Sequence, residues 1–252
     1  MVPCPWAGTD TPALASAAKI VSVIRCDIST LPAATADGQR AATAQSSGVT
    51  ISITTPDDCA VNAKWPAAVA AGNVEMSQRI TDTIFAALAD AGVPVPAQGQ
   101  GTMNNVTFGG AGWTFYETLG GGQGASARGP GPSAVHVGMS NTRNTPVESL
   151  ETAYPIRIDE YAVRRGSGGA GRHAGGDGVV RRYRVLEPCT ATLLTERRRH
   201  APRGAHGGAD GARGRNLLNG RELPAKCRVE LRPGDVLTLE TPGGGGWGPG
   251  GA

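Results

Sequence analysis

The chain has 252 residues, enough for one large domain or two smaller ones with cores of their own. It contains 38 glycines and 18 prolines but only 4% aromatic residues, a composition that approaches that of disordered chains. Because the glycines fall in short clusters between apolar segments, we expect a loop-rich globular protein instead. The net charge of +3 is too small to indicate nucleic-acid binding, and we expect none.

Cysteine spacing and hydropathy exclude further classes of protein. The five cysteines are scattered and form no CxxC pair, which argues against a zinc knuckle and against a disulfide framework. Reduced thiols are typical of cytoplasmic proteins. No segment reaches the roughly 18 apolar residues of a membrane helix, and the amino-terminal residues show no basic start followed by an apolar run. We therefore expect a cytoplasmic protein without a membrane segment.

Residues 1–100 are predicted to form a mixed α/β segment. Within it, residues 14–26 are apolar and suit a helix that runs into a strand. Residues 30–47, rich in Ala, Thr and Gln, are predicted to be irregular. Residues 49–54 alternate apolar and polar side chains, which predicts a half-buried strand that ends at Pro56.

A helix is predicted from Asn73, a favourable N-cap residue, to the residue before Gly92. Ile80, Ile84 and Leu88 recur at every fourth position and form an apolar stripe. Gly92 suits the left-handed conformation that often follows a helix. We expect the stripe to pack on a sheet.

Residues 101–252 are predicted to form a β-rich region, because short apolar segments alternate with glycine clusters. Strands are predicted at residues 113–118, 134–140, 156–164, 178–186, 191–196 and 236–240. Together with the helix, this pattern predicts an α+β fold that is rich in β-structure and glycine loops, with at least one amphipathic helix packed on a sheet. The tail, residues 242–250, has six glycines and no periodicity, which alone predicts a flexible segment.

Two polar clusters open this region. Asn104 and Asn105 occupy a predicted turn, where amides bond the local backbone or, alternatively, position a substrate. Glu117 is followed by a glycine loop with Gly121 and Gly122, whose bare N–H groups could bind an anion or an oxyanion beside the carboxylate. No Gly-Lys-Ser/Thr sequence follows, so the loop is not a nucleotide-binding P-loop.

The densest polar cluster spans residues 136–148 and combines imidazole, amide, hydroxyl, guanidinium and carboxylate groups. Arg143 could hold a carboxylate or a phosphate through two parallel hydrogen bonds. The alternative is a turn rich in Asn and Thr in which Arg143 pairs with Glu148. A further cluster, residues 167–178 with 196–200, suits tight turns, and its arginines bind anions or pair with Glu196 and Asp177. No Gly-x-Ser-x-Gly elbow occurs, and the four histidines lack metal-ligand spacing.

The order of these clusters closely resembles that of the hydantoinase B/oxoprolinase family. The matching motifs are residues 66–80 (PAAVAAGNVEMSQRI), 100–105 (QGTMNN), 116–118 (YET) with the glycines that follow, 140–148 (SNTRNTPVE), 167–178, 196–199 and 241–248 (TPGGGGWG). They run in order from about residue 14 to the end of the chain.

This resemblance implies a component of an ATP-dependent cyclic amide hydrolase that opens 5-oxoproline or hydantoin rings. It implies a hetero-oligomer with a hydantoinase A-type partner that binds ATP, and a phosphorylated substrate as intermediate. We predict that His136, Asn141, Arg143 and Glu117 are catalytic. The predicted substrate-binding residues are Asn104, Asn105, Gly121, Gly122, Thr142, Asn144 and Glu148.

Members of the family are longer than this chain, and their amino-terminal half carries motifs rich in His and Asp that look like a metal site. A divalent metal is therefore expected in that half, and we assign no metal ligand to this chain. Two other hypotheses stay open: a truncated, non-catalytic structural or assembly module, and a subunit fragment of an acetone-carboxylase-like enzyme.

Overall fold

The computed structural model describes residues 40–46, 49–55, 64, 70–90, 93–137, 140 and 142–250. The chain divides into two compact units, residues 1–91 and 92–252, compared with the boundary after residue 100 that we predicted. Eleven strands and two helices lie within the described ranges, all strand pairs are antiparallel, and the predicted α+β, mostly β fold class is confirmed.

The first unit contains a β-hairpin of β1 (Arg40–Ser46) and β2 (Val49–Thr55). The strand predicted at residues 49–54 is confirmed. The prediction of irregular structure was wrong for Arg40–Ser46, because pairing with β2 holds a segment of modest β-propensity extended. The apolar segment at residues 14–26 lies outside the described residues.

Helix α1 (Ala70–Asp90) also belongs to the first unit and confirms the predicted helix. It begins three residues before Asn73, which is therefore not its N-cap. Of the predicted stripe, Ile80 and Ile84 are half-buried, while Leu88 is 39% exposed. Neither described helix is long and apolar enough to cross a membrane.

The second unit contains two sheets. The four-stranded sheet has the order β10-β7-β3-β4, and the five-stranded sheet has the order β5-β6-β11-β8-β9. The strands are β3 (Asn104–Gly110), β4 (Trp113–Thr118), β5 (Ile156–Arg164), β6 (Gly178–Val185), β7 (Cys189–Thr195), β8 (Arg215–Leu218), β9 (Arg221–Leu223), β10 (Lys226–Leu231) and β11 (Val236–Glu240).

One apolar core joins the two sheets. It contains Val106 and Phe108 of β3 together with Leu237 of β11, all fully buried. The ring of Phe108 contacts that of Tyr183 on β6, with centroids 5.1 Å apart. Helix α2 (Val147–Ala153) packs on β5 and adds the buried Leu150 to the same core. The sheets therefore form a sandwich whose strands alternate inward and outward side chains.

Most strand predictions for this unit are confirmed, since β4, β5, β6, β7 and β11 match the predicted segments closely. The predicted strand at residues 134–140 was wrong for residues 134–137, which form only one isolated bridge, between Val135 and Gly121. The predicted turn at Asn104 and Asn105 was also wrong, because both residues pair with β7 inside β3. Strands β8, β9 and β10 were not predicted.

A bundle of extended glycine-rich segments adjoins the sandwich, and the tail lies among them. From Gly243 to Trp247, the backbone N–H groups of the tail donate to three neighbouring segments in turn, so that every third residue donates to the same segment. The N–H groups of Gly243 and Gly246 donate to Ala212 and Ala209. Those of Gly244 and Trp247 donate to Gly176 and His173, and that of Gly245 donates to Gln98. Three residues per turn is the repeat of the polyproline II helix.

Glycine is required here because backbones touch where side chains would otherwise stand. A Cβ atom on Gly244 would overlap the carbonyl group of Gln123, and one on Gly176 would overlap that of Pro132. The four glycines from Gly243 to Gly246 are buried. Trp247 anchors the end, since its Nε1 donates to the carbonyl of Val95 at 3.2 Å. The tail, which its composition alone predicts to be flexible, is an ordered extended segment of the bundle.

This packing predicts unequal effects of two alanine substitutions. We expect Gly244→Ala to lower the free energy of unfolding by about 3 kcal/mol, because the added methyl group forces neighbouring backbones apart. Gly109→Ala on β3 is the matched control, since a Cβ there meets nothing within 4 Å. Its effect should stay within about 0.5 kcal/mol. Denaturant unfolding measures both, and equal midpoints would contradict the close packing.

Candidate functional site

The centre of the site is a buried ion pair that crosses the sandwich. Glu117 on β4 is only 4% exposed and faces the interior, as Phe115 does two residues earlier. Its Oε2 lies 3.1 Å from Nε of Arg181 on β6. The same oxygen accepts a hydrogen bond from the Tyr183 hydroxyl at 2.8 Å. The four-stranded and five-stranded sheets are thus joined by a charge pair as well as by apolar contact.

Protonation of Tyr183 is fixed by this environment. Burial raises the pKa of Tyr183 well above its ordinary value, and the negative charge of Glu117 raises it further, while Arg181 opposes the change. The phenol therefore stays protonated and donates to Glu117. Removing one partner of such a buried pair costs about 3–5 kcal/mol, because the remaining charge is left without compensation.

Arg181 was not selected from the sequence. The signal was present, because Val179, Arg181, Tyr183 and Val185 occupy alternate, inward positions of β6. The guanidinium is fully buried, and its Nη1 and Nη2 have no hydrogen-bond partner among the described residues. The ring of Tyr161 on β5 stacks over its Cζ at 4.4 Å.

The loop that precedes α2 is tied to this ion pair. The backbone N–H of Thr145 donates to Oε1 of Glu117 at 3.1 Å. Asn144 donates from Nδ2 to the carbonyl of Thr118 at 2.9 Å and accepts at Oδ1 from the Tyr161 hydroxyl at 2.8 Å. Burial raises the pKa of Tyr161, so its hydroxyl is available as that donor. Asn144 is therefore held between β4 and β5.

His136 lies beside the same cluster. Burial lowers its pKa below the ordinary value, and Asn144 and the charge of Glu117 partly oppose this shift. Its Nδ1 is 3.2 Å from the Ser140 hydroxyl, while its buried Nε2 has no hydrogen-bond partner within the described ranges. The imidazole is neutral at neutral pH and offers Nε2 to a ligand or a proton.

The other described site residues that we predicted within residues 136–148 are more exposed than His136 and Asn144. Thr142, Arg143 and Glu148 are exposed, and no ion pair joins Arg143 to Glu148 in the described part of the chain. Glu148 stands in the first turn of α2. Asn141 lies outside the described residues. Of this cluster, His136 and Asn144 are thus the members placed beside Glu117.

The N–H groups of the predicted anion-binding glycines are already used in backbone hydrogen bonds. The N–H of Gly121 donates to the carbonyl of Val135, and that of Gly122 donates to the carbonyl of Pro242. These bonds hold both residues in the glycine bundle. Neither N–H is available to a ligand in this conformation, which removes the physical basis for the predicted oxyanion role.

The two asparagines of β3 point to opposite faces of their sheet. Asn105 accepts a hydrogen bond from the Thr118 hydroxyl at 2.9 Å. Asn104 is buried in a second polar network, where Nδ2 donates to Gln100 at 2.8 Å and Oδ1 accepts from Nη1 of Arg198 at 2.6 Å. Arg198 also donates to Asn216 on β8 at 3.0 Å.

Arg198 holds this second network while remaining charged. Burial lowers the pKa of Arg198 to about 9 and the nearby Arg164 lowers it too, whereas Glu196 and Glu240 act in the opposite direction. A value of about 9 still leaves the side chain cationic at neutral pH. Its contacts join β3, β8 and the turn after β7, so the network is a structural connection. Asn104 belongs to this connection, not to the cluster around Glu117.

No group of three or more His, Cys, Asp or Glu side chains that could hold a metal ion occurs within the ranges given above. The two described cysteines, Cys189 and Cys227, are free thiols whose pKa values are raised by burial.

The chain has clear relatives among known proteins. An uncharacterized protein of Methanocaldococcus jannaschii is 45% identical over 203 residues, which cover 79% of this chain and 36% of that protein. 5-Oxoprolinase 1 of Arabidopsis thaliana is 43% identical over 187 residues, which cover 72% of this chain and 14% of that protein. The chain therefore spans only about a third or less of the length of these relatives.

A solved structure shares the fold. The crystal structure of ATP-dependent caprolactamase from Pseudomonas jessenii superposes with a TM-score of 0.60 at 22% identity, covering 75% of this chain and 36% of that one. The sequence matches the family described as hydantoinase B/oxoprolinase over residues 6–250, nearly the whole chain. On this match, the chain belongs to the hydantoinase B/oxoprolinase family.

Proposed function

We propose that this chain is a component of an ATP-dependent hydrolase that opens the ring of a cyclic amide, 5-oxoproline or a hydantoin. Family membership supports the reaction class. The observation that carries the site is the cluster of His136, Asn144, Glu117 and Arg181, in which buried polar atoms of His136 and Arg181 stay unpaired. Such groups are expected where a substrate supplies the missing partners.

The chemistry explains why ATP is part of the proposal. Resonance stabilises the amide C–N bond, so a lactam resists water unless phosphorylation of its oxygen ends that resonance and makes the carbon more electrophilic. Transfer of the γ-phosphoryl group to that oxygen gives an imidate phosphate and ADP. Water adds to the imidate carbon, the C–N bond breaks as the ring nitrogen takes a proton, and a second water hydrolyses the resulting acyl phosphate.

Within this sequence of steps, His136 is the proposed proton acceptor. In the tautomer whose Nδ1–H donates to the Ser140 hydroxyl, the neutral imidazole presents an unpaired Nε2 that can take a proton from the attacking water. Glu117 was predicted as catalytic, but its carboxylate is already engaged. It forms an ion pair with Arg181 and accepts hydrogen bonds from Tyr183 and Thr145. We therefore propose that Glu117 is a positioning residue that fixes Asn144 and the loop around it.

The ATP-binding partner belongs to the proposal too. The family is described as a B component, and the caprolactamase that shares the fold is named as ATP-dependent. We propose that a hydantoinase A-type subunit binds the nucleotide and that a divalent metal sits in the amino-terminal half of a B subunit, to which this chain contributes no ligand. The chain covers a minor part of its relatives, so a non-catalytic module remains the second candidate.

Reconstitution tests the proposed function. We expect substrate-dependent ATP hydrolysis when this chain is combined with a hydantoinase A-type partner and the amino-terminal part of a B subunit. Ring opening is followed by the appearance of the open-chain amino acid, with 5-oxoproline and hydantoin assayed separately. The control omits the partner. Turnover by the isolated chain, or none in the full complex with either substrate, would contradict the assignment.

Substitution of His136 predicts a specific pH effect. In the reconstituted complex, His136→Gln should lower kcat by a factor of about 10² to 10⁴, because the proton acceptor is lost. The neutral imidazole is the active form and its pKa is lowered, so wild-type kcat/KM should fall only below about pH 6.5. The variant should lack this acid limb.

The exposed His200 supplies the matched control for that measurement. His200→Gln makes the same chemical change away from the cluster and should retain both the wild-type rate and the acid limb. An unchanged pH profile in the His136 variant would exclude His136 as the titrating group.

A further inference from the structure

The edge of the Arg181 guanidinium that is formed by Nη1 and Nη2 makes no hydrogen bond among the described residues. Its Nε faces Glu117 at 3.1 Å, and the rings of Tyr161 and Tyr183 lie 4.4 and 5.5 Å from its Cζ. The remaining donors on Nη1 and Nη2 have no partner among the described residues, although the side chain is fully buried. Leaving charged donors unpaired in the interior is costly, so this edge calls for a ligand.

A second unpaired atom lies in the same cluster. Nε2 of His136 is buried and without a partner in the described ranges. Asn144 connects the two groups, because it lies beside His136 and accepts from Tyr161, the residue that stacks on Arg181. Two independent side chains therefore leave polar atoms unsatisfied within one small region.

We infer that the Nη1 and Nη2 edge of Arg181 binds a carboxylate of the substrate, beside His136. This inference rests on the proposed function and narrows it to cyclic amides that carry a carboxylate. The planar fork of a guanidinium matches a carboxylate with two parallel hydrogen bonds.

Charge favours a carboxylate over a phosphate at this edge. Glu117 already supplies one negative charge to the buried guanidinium. A second, singly charged carboxylate adds less repulsion against Glu117 than a phosphate dianion would in the same interior. A phosphoryl group would therefore have to be held by other residues.

Tyr161 marks the side from which a ligand enters. Its ring stacks on the guanidinium, yet the residue is 45% exposed, whereas Arg181 is fully buried. Its hydroxyl donates a hydrogen bond to Asn144 and also interacts with the guanidinium of Arg181. Tyr161 is the solvent-facing member of the cluster, and its displacement would open the Nη edge.

Binding to the full 252-residue chain, without a partner or ATP, tests the inference. Three probes are compared by isothermal titration: 5-oxoproline, 2-pyrrolidinone, which is the same ring without the carboxylate, and inorganic phosphate. We expect saturable binding of 5-oxoproline and at least about tenfold weaker binding of the other two. 2-Pyrrolidinone loses the forked contact, and the larger charge of phosphate adds repulsion against Glu117.

The key variant removes both charges together. Arg181→Met alone would leave Glu117 buried without its partner, so Glu117→Gln is combined with it to keep the core neutral. This double variant should bind 5-oxoproline at least about tenfold more weakly. Arg182→Gln is the matched control, since Arg182 points outward from the same strand and pairs with Glu160. It should bind like the wild type.

Arg181→Lys covers the case in which the double variant fails to fold. It keeps the charge next to Glu117 but lacks the fork, and should weaken binding of 5-oxoproline while the unfolding midpoint stays measurable. Wild-type affinity in the folded double variant or in Arg181→Lys overturns the inference, as does preference for phosphate or equal binding of 2-pyrrolidinone. Because no turnover is measured, these outcomes are independent of the reconstitution assay.

Discussion

Direct contact between backbones, with no room for side chains, is the constraint on which the second unit depends. The tail from Gly243 to Gly246 lies among four earlier segments and donates hydrogen bonds to three of them. The glycine loop after β4 and the segment that leads into His136 are members of the same bundle. The position of His136 is therefore set by close-packed glycine segments.

The ion pair between Glu117 and Arg181 complements this constraint from the sandwich side. It joins β4 to β6 and, through Thr145, holds the loop that carries Asn144. The glycine bundle fixes one border of the site and the charge pair fixes the other. Arg198 forms a comparable buried connection near β8, in which Nε and Nη1 donate to Asn216 and Asn104 and Nη2 has no partner among the described residues. Arg181 differs because both of its Nη donors lack a partner there and because the unpaired Nε2 of His136 lies in the same cluster.

Much of the sandwich could be predicted because its strands are short segments with β-forming residues, bounded by glycine and turn residues, as in residues 156–164 and 236–240. Strand β3 could not, because Asn104 and Asn105 are typical of turns and only pairing with β4 and β7 makes them extended. The tail escaped prediction for a related reason. Its order comes from contacts with distant segments, and a run of glycines carries no periodic signal of its own.

The candidate site was predicted in part. Glu117, His136 and Asn144 were chosen for their chemistry and do lie in one cluster, while Thr142, Arg143 and Glu148 are exposed. Arg181 and Tyr161 were missed, because contacts across a sandwich join residues far apart in the chain. Inward alternation along β6 would have placed Arg181 in the interior, where an unusual arginine is informative.

The order in which the bundle is assembled has a consequence for biosynthesis. Residues 243–247 donate to partners at 98, 173, 176, 209 and 212, so the bundle can close only after residues 243–247 have been synthesised. Until then, the earlier partner segments lack the segment that lies between them. Assembly of this unit is therefore governed by long-range contacts, which are slow to form.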